Sequence, residues 1–279
     1  MIDIIQDALL DTAKLIPYLF ITFIIIELIE HKLNNEKILK KSNKFGPIIG
    51  GILGALPQCG ISTMASNLYA NRVITIGTLI AIFLSTSDEM LPMMISRSTD
   101  IKTILSIVLV KVIIGIILGL IIDKVYKRKE EKVEKIIHNH CDEEHCHCEE
   151  EGIFLSSFTH TVKIALFILV INLILDGIIY LIGEETLKNI LINKNILVYF
   201  LSSLIGLIPN CASSIVITEL YLQNMITIGT LFSGLLTGSG LGLLILFKTN
   251  KNLKENITIL SVIYFIGVII GIIVDLIII

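Results

Sequence analysis

Residues 56–63 read LPQCGIST and residues 208–215 read IPNCASSI. In each, a proline stands two places before a cysteine and hydroxyl side chains follow. The first lies in a stretch with no charged side chain from Phe45 to Asn71, the second in one from Asn195 to Thr218. Proline removes one helix hydrogen bond and collides with the preceding turn. A helix that only packs in a core gains nothing from such a cluster. The stretch is therefore read as two arms, Phe45–Leu56 and Gly60–Ala70, folding back at a polar tip.

The rest of the chain says what surrounds these tips. Of 279 residues, 54% are hydrophobic and 17% charged, and the mean hydropathy is +0.85. A soluble domain is about a quarter charged. Here the charges are gathered between long uncharged runs, among them Val73–Ser87, Leu220–Phe247 and Asn256–Val274. Several approach or exceed the roughly 20 residues that cross a hydrocarbon core. The chain reads as an all-α, polytopic membrane protein of the cell membrane, with the lipid bilayer as its first partner and no nucleic acid. The net charge of −3 says little about other partners. The N-terminus has Asp3, Asp7 and Asp11 in place of the basic region of a signal peptide, so the first apolar segment is expected to be retained.

The two tips belong to a duplication. At a constant offset of 152, Gly54, Pro57, Cys59 and Ser62 align with Gly206, Pro209, Cys211 and Ser214. ITIGTL occurs at Ile74–Leu79 and again at Ile226–Leu231, and Ser87 meets Ser239. Farther on, Gly115, Gly119 and Asp123 meet Gly267, Gly271 and Asp275. Near the start of each half the offset becomes 149, which pairs Glu27 with Asp176. The chain is divided into a membrane repeat over 1–123, a linker over 124–152 and a second repeat over 153–279.

Lysine bias orients the repeats. Lys32, Lys37, Lys40, Lys41 and Lys44 precede the first tip, and Lys124, Lys127, Arg128 and Lys129 open the linker. Both loops are expected to be cytoplasmic. Three apolar stretches lie between them, so one must enter and leave on the same side, and the proline-broken one is the candidate. Each half then has about three crossings and one broken or re-entrant hairpin, and an odd number of crossings inverts the second half. Four full crossings per half, giving parallel repeats, is the alternative. Broken segments at matching positions of inverted halves mark a transporter's substrate site near the midplane.

The residues expected to bind substrate are Pro57, Gln58, Cys59, Ser62 and Thr63, then Ser87, Asp88 and Glu89, then Pro209, Asn210, Cys211, Ser213 and Ser214. Cys59, Cys211, Asp88 and Glu89 are the metal-ligand candidates among them. Intramembrane carboxylates are costly enough to suggest function. Thiolate with carboxylate and amide suits a cation of intermediate softness. Glu27 and Asp176 are candidates for coupling or gating. Each has a plainer reading: a buried cysteine packs as a small hydrophobe, and Asp88 and Glu89 cap the second part of a broken helix. Met90, Met93 and Met94 read as packing, and the GxxxG spacings as close helix contacts. Glu219 and Lys111 are further intramembrane charges.

The linker holds His138, His140, Cys141, His145, Cys146, His147 and Cys148 within eleven residues. Such tracts bind borderline or soft metals, here Zn, Ni, Cu, Cd or Mn. Without zinc-finger spacing, a flexible capture segment fits better than a folded finger. A solvated low-complexity loop is the plain alternative. No obligatory cofactor is expected. The absence of a Walker A pattern argues against ATP hydrolysis and leaves no enzyme reading.

The twin Pro-x-Cys tips, the ITIGTL strings, the STSDE element at 85–89 and the His/Cys-rich linker resemble the heavy-metal exporters related to ArsP-like arsenic-efflux permeases. Members of that group are also labelled manganese transporters. The resemblance covers nearly the whole chain and implies export of a divalent metal or an arsenic-type metalloid by alternating access. For an arsenical, Cys59 and Cys211 are the matching thiols, but two membrane cysteines cannot form a three-thiolate site. A membrane thiol–disulfide carrier cycling Cys59 and Cys211 and a metal sensor that transports nothing are the competing readings. A homodimer is an option that the sequence leaves open.

Overall fold

The computed structural model describes residues 45–56, 59–87, 90–126, 196–209 and 211–278, with scattered positions between 13 and 24 and between 158 and 170. Described elements are helical. In the first half they are α1 (Gly46–Gly54), α2 (Cys59–Ala70), α3 (Ile76–Ser85), α4 (Met90–Ser96) and α5 (Ile101–Val125). In the second they are α6 (Leu197–Gly206), α7 (Cys211–Leu222), α8 (Ile228–Thr237), α9 (Gly242–Thr249) and α10 (Leu253–Ile278). Among the described residues four helical stretches are long and apolar enough to cross a membrane: Ile76–Ser96, Ile101–Val125, Ile228–Thr249 and Leu253–Ile277. The chain is a multi-pass membrane protein.

The arms of the first tip fall close to where the proline placed them. Glycines 46, 50 and 54 let α1 lie directly against α3, with Gly46 at Thr78, Gly50 between Thr78 and Ile82, and Gly54 at Ser85. The order of these contacts means that α1 and α3 run in the same direction. Since α2 leads from the end of α1 to the start of α3, it must turn back, and the pair is a hairpin. The second half repeats this. Ser202 reaches Thr230, Ser203 reaches Ser233, and Gly206 lies against Gly234 and Thr237. The turns that leave α2 and α7 use left-handed backbone at Arg72 and Asn224, which occupy the same repeat position.

α5 runs opposite to α3 and touches it through small residues. A Cβ at Gly77 would lie 2.1 Å from the Gly119 carbonyl, and one at Gly229 would lie 2.2 Å from that of Gly271. The glycine spacings thus serve close packing, as the sequence suggested. At each crossing a carboxylate caps the start of the helix it packs against, α3 or α8. Asp123 accepts from the Thr75 hydroxyl at 2.7 Å and from the Gly77 N–H at 2.8 Å. Asp275 does the same with Thr227 and with Gly229, the latter at 2.8 Å. An acid suits the orphan N–H groups of a helix N-terminus.

Both central spans are broken, α3 from α4 at 86–89 and α8 from α9 at 238–241. They are 75% and 78% buried, whereas α5 and α10 are each 28% buried. The outward side of α5 carries Ile101, Leu105, Leu109, Ile113, Ile117 and Ile121. Large aliphatic side chains at every fourth position on an exposed face need a hydrocarbon solvent. The core between the halves contains Tyr69, Phe83, Met90, Met94, Leu231 and Leu246, which bears out packing roles for Met90 and Met94.

Candidate functional site

The breaks in the central spans arise from different chemistry. In the first half, hydroxyls satisfy the carbonyls that the broken helix leaves open. Ser85 Oγ donates to the Ala81 carbonyl at 2.8 Å, and Thr86 Oγ1 to that of Ile82 at 2.8 Å. Ser87 Oγ donates to the Ser85 carbonyl at 3.1 Å. The ammonium of Lys111, fully buried on α5, donates to the Thr86 carbonyl. In the second half Gly238 ends α8, and Gly240 takes a left-handed conformation with φ 54°.

These two breaks and the second hairpin tip enclose a cavity. Thr86, Ser87 and Met90 line it from the first break, and Leu235, Gly238 and Gly240 from the second. Gly206, Ile208, Ser213 and Ser214 close it from the hairpin. Its volume is about 20 Å³, room for about one water or a bare metal ion. Its lining sets Thr86, Ser87, Ser213 and Ser214 beside Met90, Ile208, Leu235 and three glycines.

Of the residues expected from the sequence, the structure brings Ser87, Ser213 and Ser214 to this cavity. Asp88 and Glu89 lie outside the described residues, but their chain neighbours Ser87 and Met90 both line it. Cys59 and Cys211 open α2 and α7, and their side chains lie outside the description; Cys211 stands two residues before Ser213. Pro57, Gln58, Asn210, Glu27, Asp176 and the linker ligands from His138 to Cys148 also lie outside it. Pro209 is partly buried and is not part of the lining. Ser62 and Thr63 are buried elsewhere. Ser62 packs against Gly242 of α9, and Thr63 donates to the Gly60 carbonyl at 2.8 Å. Among the described residues no three His, Cys, Asp or Glu side chains converge as a metal cluster.

Polar contacts around the seam between the halves add Tyr69, Arg72, Arg97, Asn250 and Glu255, which the sequence reading did not single out, and give Glu219, which it noted as an intramembrane charge, a partner. Glu255 accepts from the Tyr69 hydroxyl at 2.5 Å, from Arg72 at 3.3 Å and from Asn250 at 3.3 Å. Arg97 donates to Glu219 at 2.6 Å. Arg72, alone between two uncharged runs, was the available signal. Its partner lies 183 residues away, and nothing in the sequence names it.

Residues 1–181 match the ArsP_2 family, described as "Putative, 10TM heavy-metal exporter". The chain belongs to this family. The match takes in the first repeat, the linker and the start of the second repeat. Comparison with curated proteins and with solved structures gives no match. Membership of the heavy-metal exporter family accords with the cavity among broken spans, which a permease needs and a rigid bundle does not.

Proposed function

We propose that this chain is a secondary permease that exports a divalent heavy metal, manganese-like, or an arsenic-type metalloid by alternating access. The observation that carries the reading is the small cavity, lined in part by hydroxyl side chains, where both broken spans meet a hairpin tip. Irregular backbone at membrane depth is tolerated where it is buried in protein or lines a wet path. Asp88, Glu89 and Cys211 sit beside lining residues in the chain, so they are the proposed charged and soft ligands, with Cys59 as the repeat partner of Cys211. Counting each hairpin arm, the reading from sequence has five embedded segments per half, in keeping with the ten of the family description.

Inverted repeats are part of this proposal, and the contacts between halves support them. Arg72 precedes the span Ile76–Ser96 and pairs with Glu255, which follows the span Ile228–Thr249. Arg97 follows the first span and pairs with Glu219, which precedes the second. Start meets end and end meets start, as antiparallel spans require. The lysine-rich loops then put the linker and the Arg72 end in the cytoplasm, where the His/Cys tract would gather metal on the loading side.

Metal uptake into everted membrane vesicles tests this. Asp88→Asn and Cys211→Ser should each lower Mn²⁺ or Cd²⁺ flux by about tenfold or more, since each removes a charged or soft ligand from a desolvated site. Removing residues 138–148 should slow flux without abolishing it. Wild-type flux in both point variants would sink the assignment of the site.

A further inference from the structure

Beyond the cavity, α7 carries polar groups that no packing role explains. Ser213 and Ser214 line the cavity. Thr218 follows Ser214 by one helical turn, about 5.4 Å along the axis. It is fully buried, and among the described residues its hydroxyl has no hydrogen-bond partner. The next residue, Glu219, uses Oε1 to accept from Arg97 at 2.6 Å and from Gln223 at 2.8 Å, while its Oε2 is buried and also without a partner. Buried polar atoms are almost always satisfied, so two adjacent exceptions call for an occupant. Both are oxygens, and one is anionic, which selects a hard or borderline divalent cation.

We propose that Thr218 and Glu219 form a second cation site, a waypoint between the cavity and the outer face, with Arg97 as the counter-ion held there when metal is elsewhere. The proposal rests on the permease reading above. Arg97 belongs to the other half and its side chain is 57% exposed, against 13% for Glu219. Only the Arg97 end of the pair is exposed, so an arriving divalent ion can displace the guanidinium outward while Glu219 stays in place. The repeat-equivalent residue of Glu219 is Asn67 on α2, which is buried and uncharged, with its side-chain nitrogen unpartnered. A carboxylate therefore stands at this position only on the α7 side. That asymmetry makes the waypoint an exit step, because Arg97 follows the first central span and Arg72, on the lysine-rich side, precedes it.

The test uses the full chain in proteoliposomes with Mn²⁺ and Cd²⁺, each alone, measuring flux and equilibrium binding. Glu219→Gln should lower flux about tenfold and leave binding at the cavity within about twofold, since one charged contact outside the cavity is lost. Thr218→Val, which keeps the side-chain shape, should lower flux about threefold in the same way. The exchange Arg97→Glu with Glu219→Arg separates a path from a mere clasp. A clasp would recover in the double variant, whereas a path with a fixed cation on α7 stays blocked. Recovery of flux in the exchange, or wild-type flux in Glu219→Gln, would overturn the proposal. If wild-type protein binds neither metal, the permease reading fails along with it, and the same titration shows which has failed.

Discussion

Thr75, Gly77 and Asp123 of the first half meet in the same way as Thr227, Gly229 and Asp275 of the second. Around that shared frame the charges differ. Lys111 is matched by Ile263, Asp88 and Glu89 by Gly240 and Leu241, Arg97 by Thr249, and Glu219 by Asn67. The frame residues hold helices together at crossings where a side chain would not fit or where helix N–H groups need an acceptor. Of the unmatched residues that the structure describes, Lys111 reaches the cavity wall at Thr86, and Arg97 and Glu219 meet between the halves. What is duplicated here is scaffold; under the proposed function, the residues that are not duplicated are those that would set the direction of the path.

The largest effect should come from breaking the frame. Gly77→Val and Gly229→Val each push a side chain into a carbonyl about 2 Å away. Each should cost about 3 kcal/mol, the upper end of what overpacking costs, because the backbone it meets cannot move aside. Thermal unfolding in detergent should show similar losses for the two. A loss confined to one half would break the equivalence drawn here.

Asp123→Asn and Asp275→Asn probe the caps. A charge-assisted bond contributes about 1.5–3 kcal/mol, so both variants should melt earlier by amounts in that range. Asp275 also accepts from Tyr199 at 2.7 Å, where the first half has Pro47. The second variant should therefore be the more destabilised, which sharpens the comparison by measuring one difference inside the shared frame.

Lys111→Met removes a charge that only one half has while keeping its length. One of its contacts is to the Thr86 carbonyl at the cavity wall, so transport should fall about tenfold with a smaller change in melting temperature, a charged hydrogen bond at that wall being lost. Ile263→Leu at the matching position should leave transport unchanged. Equal transport losses from the two would remove the distinction between scaffold and path.

The duplication, the hairpin arms and the close glycine contacts were legible because each rests on residues near one another in sequence or on a constant offset. Pro57 and the uncharged run around it placed α1 and α2 to within a few residues. Three of the expected site residues, Ser87, Ser213 and Ser214, reach one cavity. Ser62 does not, although it is the repeat partner of Ser214, because α2 lies against α9 and its polar side is spent on that contact: Ser66 donates to the Gly242 carbonyl at 2.6 Å. A linear pattern cannot tell a hydroxyl that faces a cavity from one that faces a neighbouring helix.

Hydropathy, offset and proline act locally along the chain, so the sequence alone settled that the chain lives in lipid, that it is doubled, and where its two proline-bearing segments turn back; the breaks in the central spans at 86–89 and 238–241 came from the structure. Only the tertiary structure decided which breaks share a cavity, and that Glu255 meets Arg72 and Glu219 meets Arg97. Those pairs lie 183 and 122 residues apart, and their meeting follows from how whole helices pack, which no neighbour in the chain records.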